Sequence, residues 1–395
     1  MISPSSYILW LPSWYPNKLG PYDGDFIQRH AKAVSAYVPV HVLHLVRDGE
    51  GVITRSVKIE ENIEHNLKEV IIYYYSKKPG LKIFDLFFSM NKFGHQYRTY
   101  LTDFFSEHGL PSLVHVHIAF KAGLIARWLK QRLGIPYLLT EQWTIYLENA
   151  KPKLTNLTFA HQYMISKIMT NASLVLPVSD HLGKELQKKW PSITYEVVPN
   201  VVNSNIFFPS HEKNNDKLKL IHISTLTYQK DPESLFRAVG LLKKQGIEFS
   251  LDVFGPVNEL VLSLIKSENI GEEVKLHGEV PQQVLSEFLR KSDALILYSR
   301  YETFGCVIIE ANASGVPVIV TDTELMHELV EDNVNGVFVP AGTGEQLANA
   351  LISFSNQRNS FDKNKIASQA IEKYSYNRVG KIYADIYARY IINRP

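Results

Sequence analysis

Cysteine is almost missing from this chain: one residue, Cys306, in 395. No internal disulfide can form, and a cysteine-rich zinc site is excluded. An excess of either charge is missing too. Lys and Arg number 42 against 40 Asp and Glu, a formal net charge of +2. A dedicated nucleic-acid binder is strongly basic, so nucleic acid is not an expected partner. No apolar run reaches the ~18 residues that a membrane span needs. Residues 1–16 hold neither a basic stretch nor a small-residue cleavage site, so no secretory leader is expected. With the lone cysteine, this makes the expected compartment cytoplasmic. Several catalytic signatures are also lacking. There is no G-x-G-x-x-G fingerprint, no Walker A loop, no G-x-S-x-G elbow and no H-E-x-x-H helix. Dehydrogenase, NTPase, α/β-hydrolase and zinc-protease readings lose their main support.

What is present is the composition of a folded protein, 45% apolar and 21% charged. The length suits two domains rather than one core. Short apolar runs alternate with helical stretches. In the first half the runs are 7–11, 40–46, 113–118, 137–140 and 173–178, with helices expected over 26–37, 123–133 and 159–170. Residues 198–217, rich in Pro, Asn and charge, read as a domain linker. Alternation then resumes, with strands expected at 218–224, 250–254, 274–276, 294–298, 317–321 and 336–339. This pattern predicts an α/β protein of two doubly wound parallel sheets. The expected boundaries are 1–200, 201–375 and a terminal helix over 376–395. Such sheets bind ligands at the carboxyl ends of their strands, here facing a cleft.

The most informative stretch runs from Ser299 to Asp322. A strand ends near Ser299, a turn holds Glu302 and Gly305, and a helix opens. Gly305 lets backbone approach a ligand. The first N–H groups of that helix, with its dipole, make an anion site. Glu310 lies eight residues after Glu302, about 2.2 helical turns. Two carboxylates that accept from diols, flanking an anion site, suit a nucleotide sugar. A cap at Glu302 and a surface charge at Glu310 is the plainer alternative.

Glu302-Thr303-Phe304-Gly305, Glu310-Ala311 and Gly315-Val316-Pro317-Val318 together resemble the E-x7-E signature of the retaining glycosyltransferases of family 4. Further segments resemble that family: Val198-Pro199-Asn200-Val201-Val202 with Phe207, the run from Ser224 to Asp231, Asp252-Val253-Phe254-Gly255, and His277-Gly278-Glu279-Val280. The resemblance implies the GT-B fold, two Rossmann-like domains around a cleft. It implies that Lys230 binds the diphosphate. Glu302 with the Phe304 and Gly305 amides would hold the sugar and phosphate, and Glu310 the ribose. Val280 would meet the base through its backbone, and Asn200 would join the donor site. In the first domain, Gly24 would admit acceptor or phosphate, and His117 matches the family's active-site histidine. Gln142 stands where the family often has His. No metal and no cofactor are expected, since Asp23-Gly24-Asp25 lies in the acceptor-side loop rather than at a strand end.

The chain also departs from the family. The donor-binding Arg falls at Thr225, with Arg300 as a conceivable replacement, and Glu324-Leu325 replaces a Gly-Gly pair. Cys306 reads as a small packed residue. Phe84, Phe87 and Phe88, with Lys77, Lys78 and Lys82 nearby, read either as an interfacial membrane helix or as a core-packed one. The expected function is therefore a metal-independent hexosyltransferase. It takes a UDP- or GDP-sugar donor to a glycan or lipid-linked glycan acceptor in cell-surface polysaccharide synthesis, with peripheral membrane contact. An epimerase of the same fold and a non-catalytic sugar-nucleotide-binding subunit remain as alternatives.

Overall fold

The apolar runs become strands that are buried on both faces, as parallel strands under helices must be. A computed structural model describes residues 7–76, 82–210 and 217–391, with the backbone alone for 82–90. In the first domain the strands are β1 (Ile8–Pro12), β2 (Val40–Asp48), β3 (Val57–Glu64), β4 (Leu67–Tyr75), β5 (Leu113–His117), β6 (Tyr137–Glu141) and β7 (Leu174–Pro177). Their order across the sheet is β3-β4-β2-β1-β5-β6-β7. Only β3 runs antiparallel, paired with β4. Its sequence is charged and its side chains are mostly exposed, which suits an edge. Helices α1 (Asp25–Ser35), α2 (Lys82–His108), α3 (Lys121–Leu133), α4 (Phe159–Asn171) and α5 (Asp180–Lys189) complete this body. Lys77, Lys78 and the side chains of Lys82, Phe84, Phe87 and Phe88 lie outside the described residues.

The second domain repeats the scheme. Its strands are β8 (Leu218–Ile223), β9 (Phe249–Phe254), β10 (Val274–Gly278), β11 (Ala294–Leu297), β12 (Val318–Thr321) and β13 (Gly336–Val339). They form a parallel sheet of order β10-β9-β8-β11-β12-β13. Chain order reverses between β8 and β11, the topological switch point where such sheets take ligands. The helices are α6 (Pro232–Lys244), α7 (Glu259–Ser267), α8 (Gln282–Lys291), α9 (Cys306–Ala313), α10 (Met326–Leu329), α11 (Gly344–Gln357) and α12 (Lys363–Tyr374).

The chain crosses between the bodies twice. The first crossing, expected as a domain linker, is buried at Val198, Val201, Val202 and Phe207. The second is Ser375, which precedes α13 (Tyr376–Tyr390). The two crossings lie side by side: Val202 N–H donates to the Tyr374 carbonyl at 2.8 Å. Helix α13 then packs on the first domain. Its Val379, Tyr383, Ile386 and Tyr387 share one core with Ile27, Ala31 and Val34 of α1. Gly380 sits so close to α1 that a Cβ would stand 2.3 Å from the Ala33 carbonyl oxygen.

Candidate functional site

A cleft of about 660 Å³ lies between the two bodies. The second domain lines it with the carboxyl ends of neighbouring strands: Ser224 and Thr225 after β8, Phe254 at the end of β9 with Gly255 after it, and Val280 after β10. The turn from Glu302 to Gly305, between β11 and α9, forms its floor. The first domain supplies Trp14, Asp25, Phe26 and Arg29 from the loop before α1 and from α1 itself, and Gln142 and Trp143 after β6.

Gly305 caps α9 with φ 90°, in the left-handed region that favours glycine. The helix therefore starts at the cleft, with first-turn N–H groups that have no intrahelical partner. Glu302 and Lys230 meet there: the Lys230 ammonium donates to the Glu302 carboxylate. Gln229 Nε2 donates to the same carboxylate at 3.2 Å. Both charged side chains are mostly buried, at 16% and 6% exposure, so the pair is shielded from solvent. Lys230 is set in place by the turn that ends at Asp231, whose carboxylate caps α6 through Ser234.

Glu310 stands one turn deeper and is also buried. Burial raises its pKa, and Arg29 opposes that rise. Arg29 Nη1 donates to Glu310 at 2.5 Å across the cleft, and Gln282 Nε2 donates at 3.2 Å. Arg29 Nη2 also reaches Asp25 at 3.1 Å. Burial favours the neutral guanidinium, but Asp25 and Glu310 outweigh it and hold Arg29 charged. Nothing in the sequence singled out Arg29. Its partner lies 281 residues away, so only the folded chain brings the two together.

Of the other expected residues, Val280, Phe304, Gly305 and Asn200 all line the cleft. Asn200 is buried with its Oδ1 unpartnered, and Gln142 Nε2 is likewise unpartnered. Each is a polar group in the cleft wall that protein atoms leave unsatisfied. Gly24 sits just behind, at φ 65° as the cap of α1. A Cβ there would meet the Trp14 carbonyl at 2.6 Å.

His117 is different. Residues two apart on a strand share a face, so His117 follows His115 rather than turning away from it. Both rings stack into the layer beneath α1 and α13: His117 lies 4.1 Å from Trp10 and 4.2 Å from His115 between ring centroids. It is fully buried and is not among the cleft-lining residues. Arg300 also fails to replace the cation missing at Thr225. Its guanidinium is held by Asp231 at 2.6 Å and lies over the Tyr228 ring. Cys306 lines the cleft, but burial pushes its thiol up to about 12, so it stays protonated. Glu324, in place of glycine, does not face the cleft. It pairs with Lys184 at 3.1 Å and His181 at 3.4 Å on α5. Glu328 caps the same helix from across the interface, accepting from Asp180 N and His181 N at 2.8 and 2.7 Å. No cluster of His, Cys, Asp or Glu suited to a metal is found among the described residues. Nor is any helix among them long and apolar enough to cross a membrane.

Residues 203–374 match the family model described as glycosyl transferases group 1. The amylovoran biosynthesis glycosyltransferase AmsK of Erwinia amylovora is 23% identical over 361 residues, 85% of this chain and 82% of its own length. A sucrose-phosphate synthase from Thermosynechococcus elongatus superposes with a TM-score of 0.79 at 17% identity, over 97% of this chain and 98% of that one. Anabaena HepE, solved in complex with UDP and glucose, superposes at 0.71 with 14% identity, over 97% and 100%. The family match falls on the body that holds Lys230, Glu302 and Glu310: the second domain is a glycosyl transferases group 1 domain, and the chain has the GT-B fold.

Proposed function

We propose that the chain is a retaining, metal-independent hexosyltransferase that moves a sugar from a nucleoside diphosphate donor to a glycan or lipid-linked glycan acceptor. The observation that carries this reading is the grouping of Lys230, Glu302, the start of α9 and Glu310 at the switch point of the second sheet, facing the first domain. The α9 N–H groups and Lys230 offset the charge that grows on the diphosphate as the sugar–oxygen bond breaks. When a phosphate engages Lys230, the Glu302 carboxylate becomes free to accept from the sugar hydroxyls. Glu310 accepts from the ribose, and Arg29 moves with it or yields to it. Val280 meets the base, and Asn200 and Gln142 supply the acceptor and donor groups that the protein leaves unpaired. Asp25 of the Asp-x-Asp pair is engaged by Arg29, which favours charge stabilisation by cations and amides over a metal. HepE, bound to UDP and glucose, supports a nucleotide-sugar donor, and the amylovoran enzyme supports a polysaccharide setting.

The test is a screen of UDP- and GDP-sugars for release of nucleoside diphosphate. One donor should be hydrolysed, with activity retained in excess chelator. Lys230→Ala should lower turnover on the order of 10²-fold, by analogy with losing one preorganised donor. Complete, metal-reversible loss in chelator would refute the metal-independent reading. Turnover unchanged in Lys230→Ala would refute its assignment.

A further inference from the structure

A row of aromatic rings leaves the cleft on the first domain. Trp14 and Trp143 line the cleft, with ring centroids 5.4 Å apart. Trp143 meets Phe120 at 5.7 Å, and Phe120 stacks on His161 at 5.6 Å and 19° between planes. All four are half-buried, so each keeps part of its surface open. The row ends at a second cavity of about 240 Å³ between α3 and α4, walled by His161, Tyr163, Leu124 and Met164. Its charged walls are Arg127 and Lys167, and no carboxylate lines it. Arg127 Nε is buried with no hydrogen-bond partner. Lys167 Nζ lies 5.2 Å from the Tyr163 ring centroid. On the rim Phe159 is 82% exposed, beside Tyr163.

We propose that this track is an acceptor subsite that holds an anionic sugar unit of an extended glycan, its reacting end in the cleft and its acidic ring in the cavity between α3 and α4. Three observations meet here. The rings run without a gap from the cleft, so one ligand can occupy both places. Aromatic planes pack against the apolar C–H face of a sugar ring while leaving its hydroxyls free. The cavity has two cations, one with a buried donor unmet, and no acid to neutralise them; a carboxylate or phosphate group supplies what is lacking. Burial, and then the charge of Lys121, hold His161 below its ordinary pKa, so near neutral pH its ring serves as a wall rather than a third cation. This inference rests on the transferase reading above and adds to it the acceptor's charge.

The probes are tetragalacturonate and the neutral cellotetraose, titrated calorimetrically against the full chain. Tetragalacturonate should bind more tightly, and more weakly as salt rises. Arg127→Gln and Lys167→Gln should each weaken it about tenfold, as expected for a lost charged hydrogen bond, with UDP binding and donor hydrolysis unchanged. Lys167 is half-buried and makes a ring contact with Tyr163 rather than holding a buried unmet donor, so its variant keeps the test open if Arg127→Gln fails to fold. Equal binding of the two sugars, or no binding of either, would overturn the proposal while UDP still binds. So would unchanged affinity in Lys167→Gln. Flotation with anionic vesicles that is lost in a Phe159→Ser, Tyr163→Ser variant, with tetragalacturonate affinity intact, would overturn it in favour of a membrane surface. Absence of any nucleotide binding or donor hydrolysis would instead strike the transferase reading itself.

Discussion

The ion pair between Arg29 and Glu310 puts the two halves of the chain in contact at the carboxylate assigned to the donor. Glu310 accepts from both hydroxyls of a ribose diol, and most strongly, when it is ionised. Burial raises its pKa, so affinity for a nucleotide sugar should fall on acidification earlier than an ordinary carboxylate would allow. The sign is fixed: binding strengthens as pH rises through the pKa of Glu310, then levels off. Arg29→Met removes the group that lowers this pKa, so the midpoint should move to higher pH. Titration of UDP-glucose affinity against pH reads it directly, because the donor's diphosphate diester does not titrate in that range. Glu310→Gln should weaken binding tenfold or more, since a charged hydrogen bond is worth about 1.5–3 kcal/mol, and should abolish the midpoint. A midpoint unmoved by Arg29→Met would sink the assignment. The acids were legible in the sequence because a turn glycine and a fixed spacing place them. Arg29 was not, because an ion pair between residues 29 and 310 leaves no local signal. His117 misled for a related reason. The motif fixes its strand, but the face it uses is set by Trp10 and α13.

Among the elements, buried strands were legible because burial on both faces writes a continuous apolar run. The edge strand β3 was missed because it is polar and exposed; β4 beside it was missed although it is largely buried. Helix α13 shows where packing adds what periodicity cannot. Its apolar face is plain in the sequence, whereas its dependence on the bare backbone of Gly380 appears only against Ala33. Gly380→Val would drive side-chain carbon into a main-chain carbonyl that cannot rotate away. The cost should be at the upper end of the ~1–3 kcal/mol typical of overpacking. Thermal melting should show it, and limited proteolysis should then cut near 376–390. Melting and proteolysis like the parent's would mean that α13 tolerates displacement. At the opposite face, Glu328→Ala removes the cap that α5 receives from the other domain, worth about 0.5–2 kcal/mol. The expected result is a higher donor KM with kcat less affected, and a larger radius of gyration in scattering. An unchanged radius and KM would count against a closing role for this contact.

The whole molecule should weaken in acid, and its histidines say why. Burial lowers His30 and His41 to about 3, and His44 and His222 to about 4. A histidine with a depressed folded pKa favours the native state fully above the unfolded value near 6.5, and loses that contribution as pH falls toward the folded value. Urea midpoints should therefore drop steadily between pH 6.5 and 4. A flat profile over that window would show that these rings are not buried neutral. The return of α13 to the first domain bears on synthesis as well. Domains made first usually fold first as the chain leaves the ribosome. Here Ile27, Ala31 and Val34 on α1, and His115 on β5, find their partners in Tyr383 and Tyr387, which are translated after the entire second domain. The first body thus emerges with an apolar face uncovered and with His115 holding Thr140 but lacking its Tyr387 partner, and it stays so while the other body is being made. For this surface the order of translation and the order of completion are opposite: what is synthesised first is sealed last.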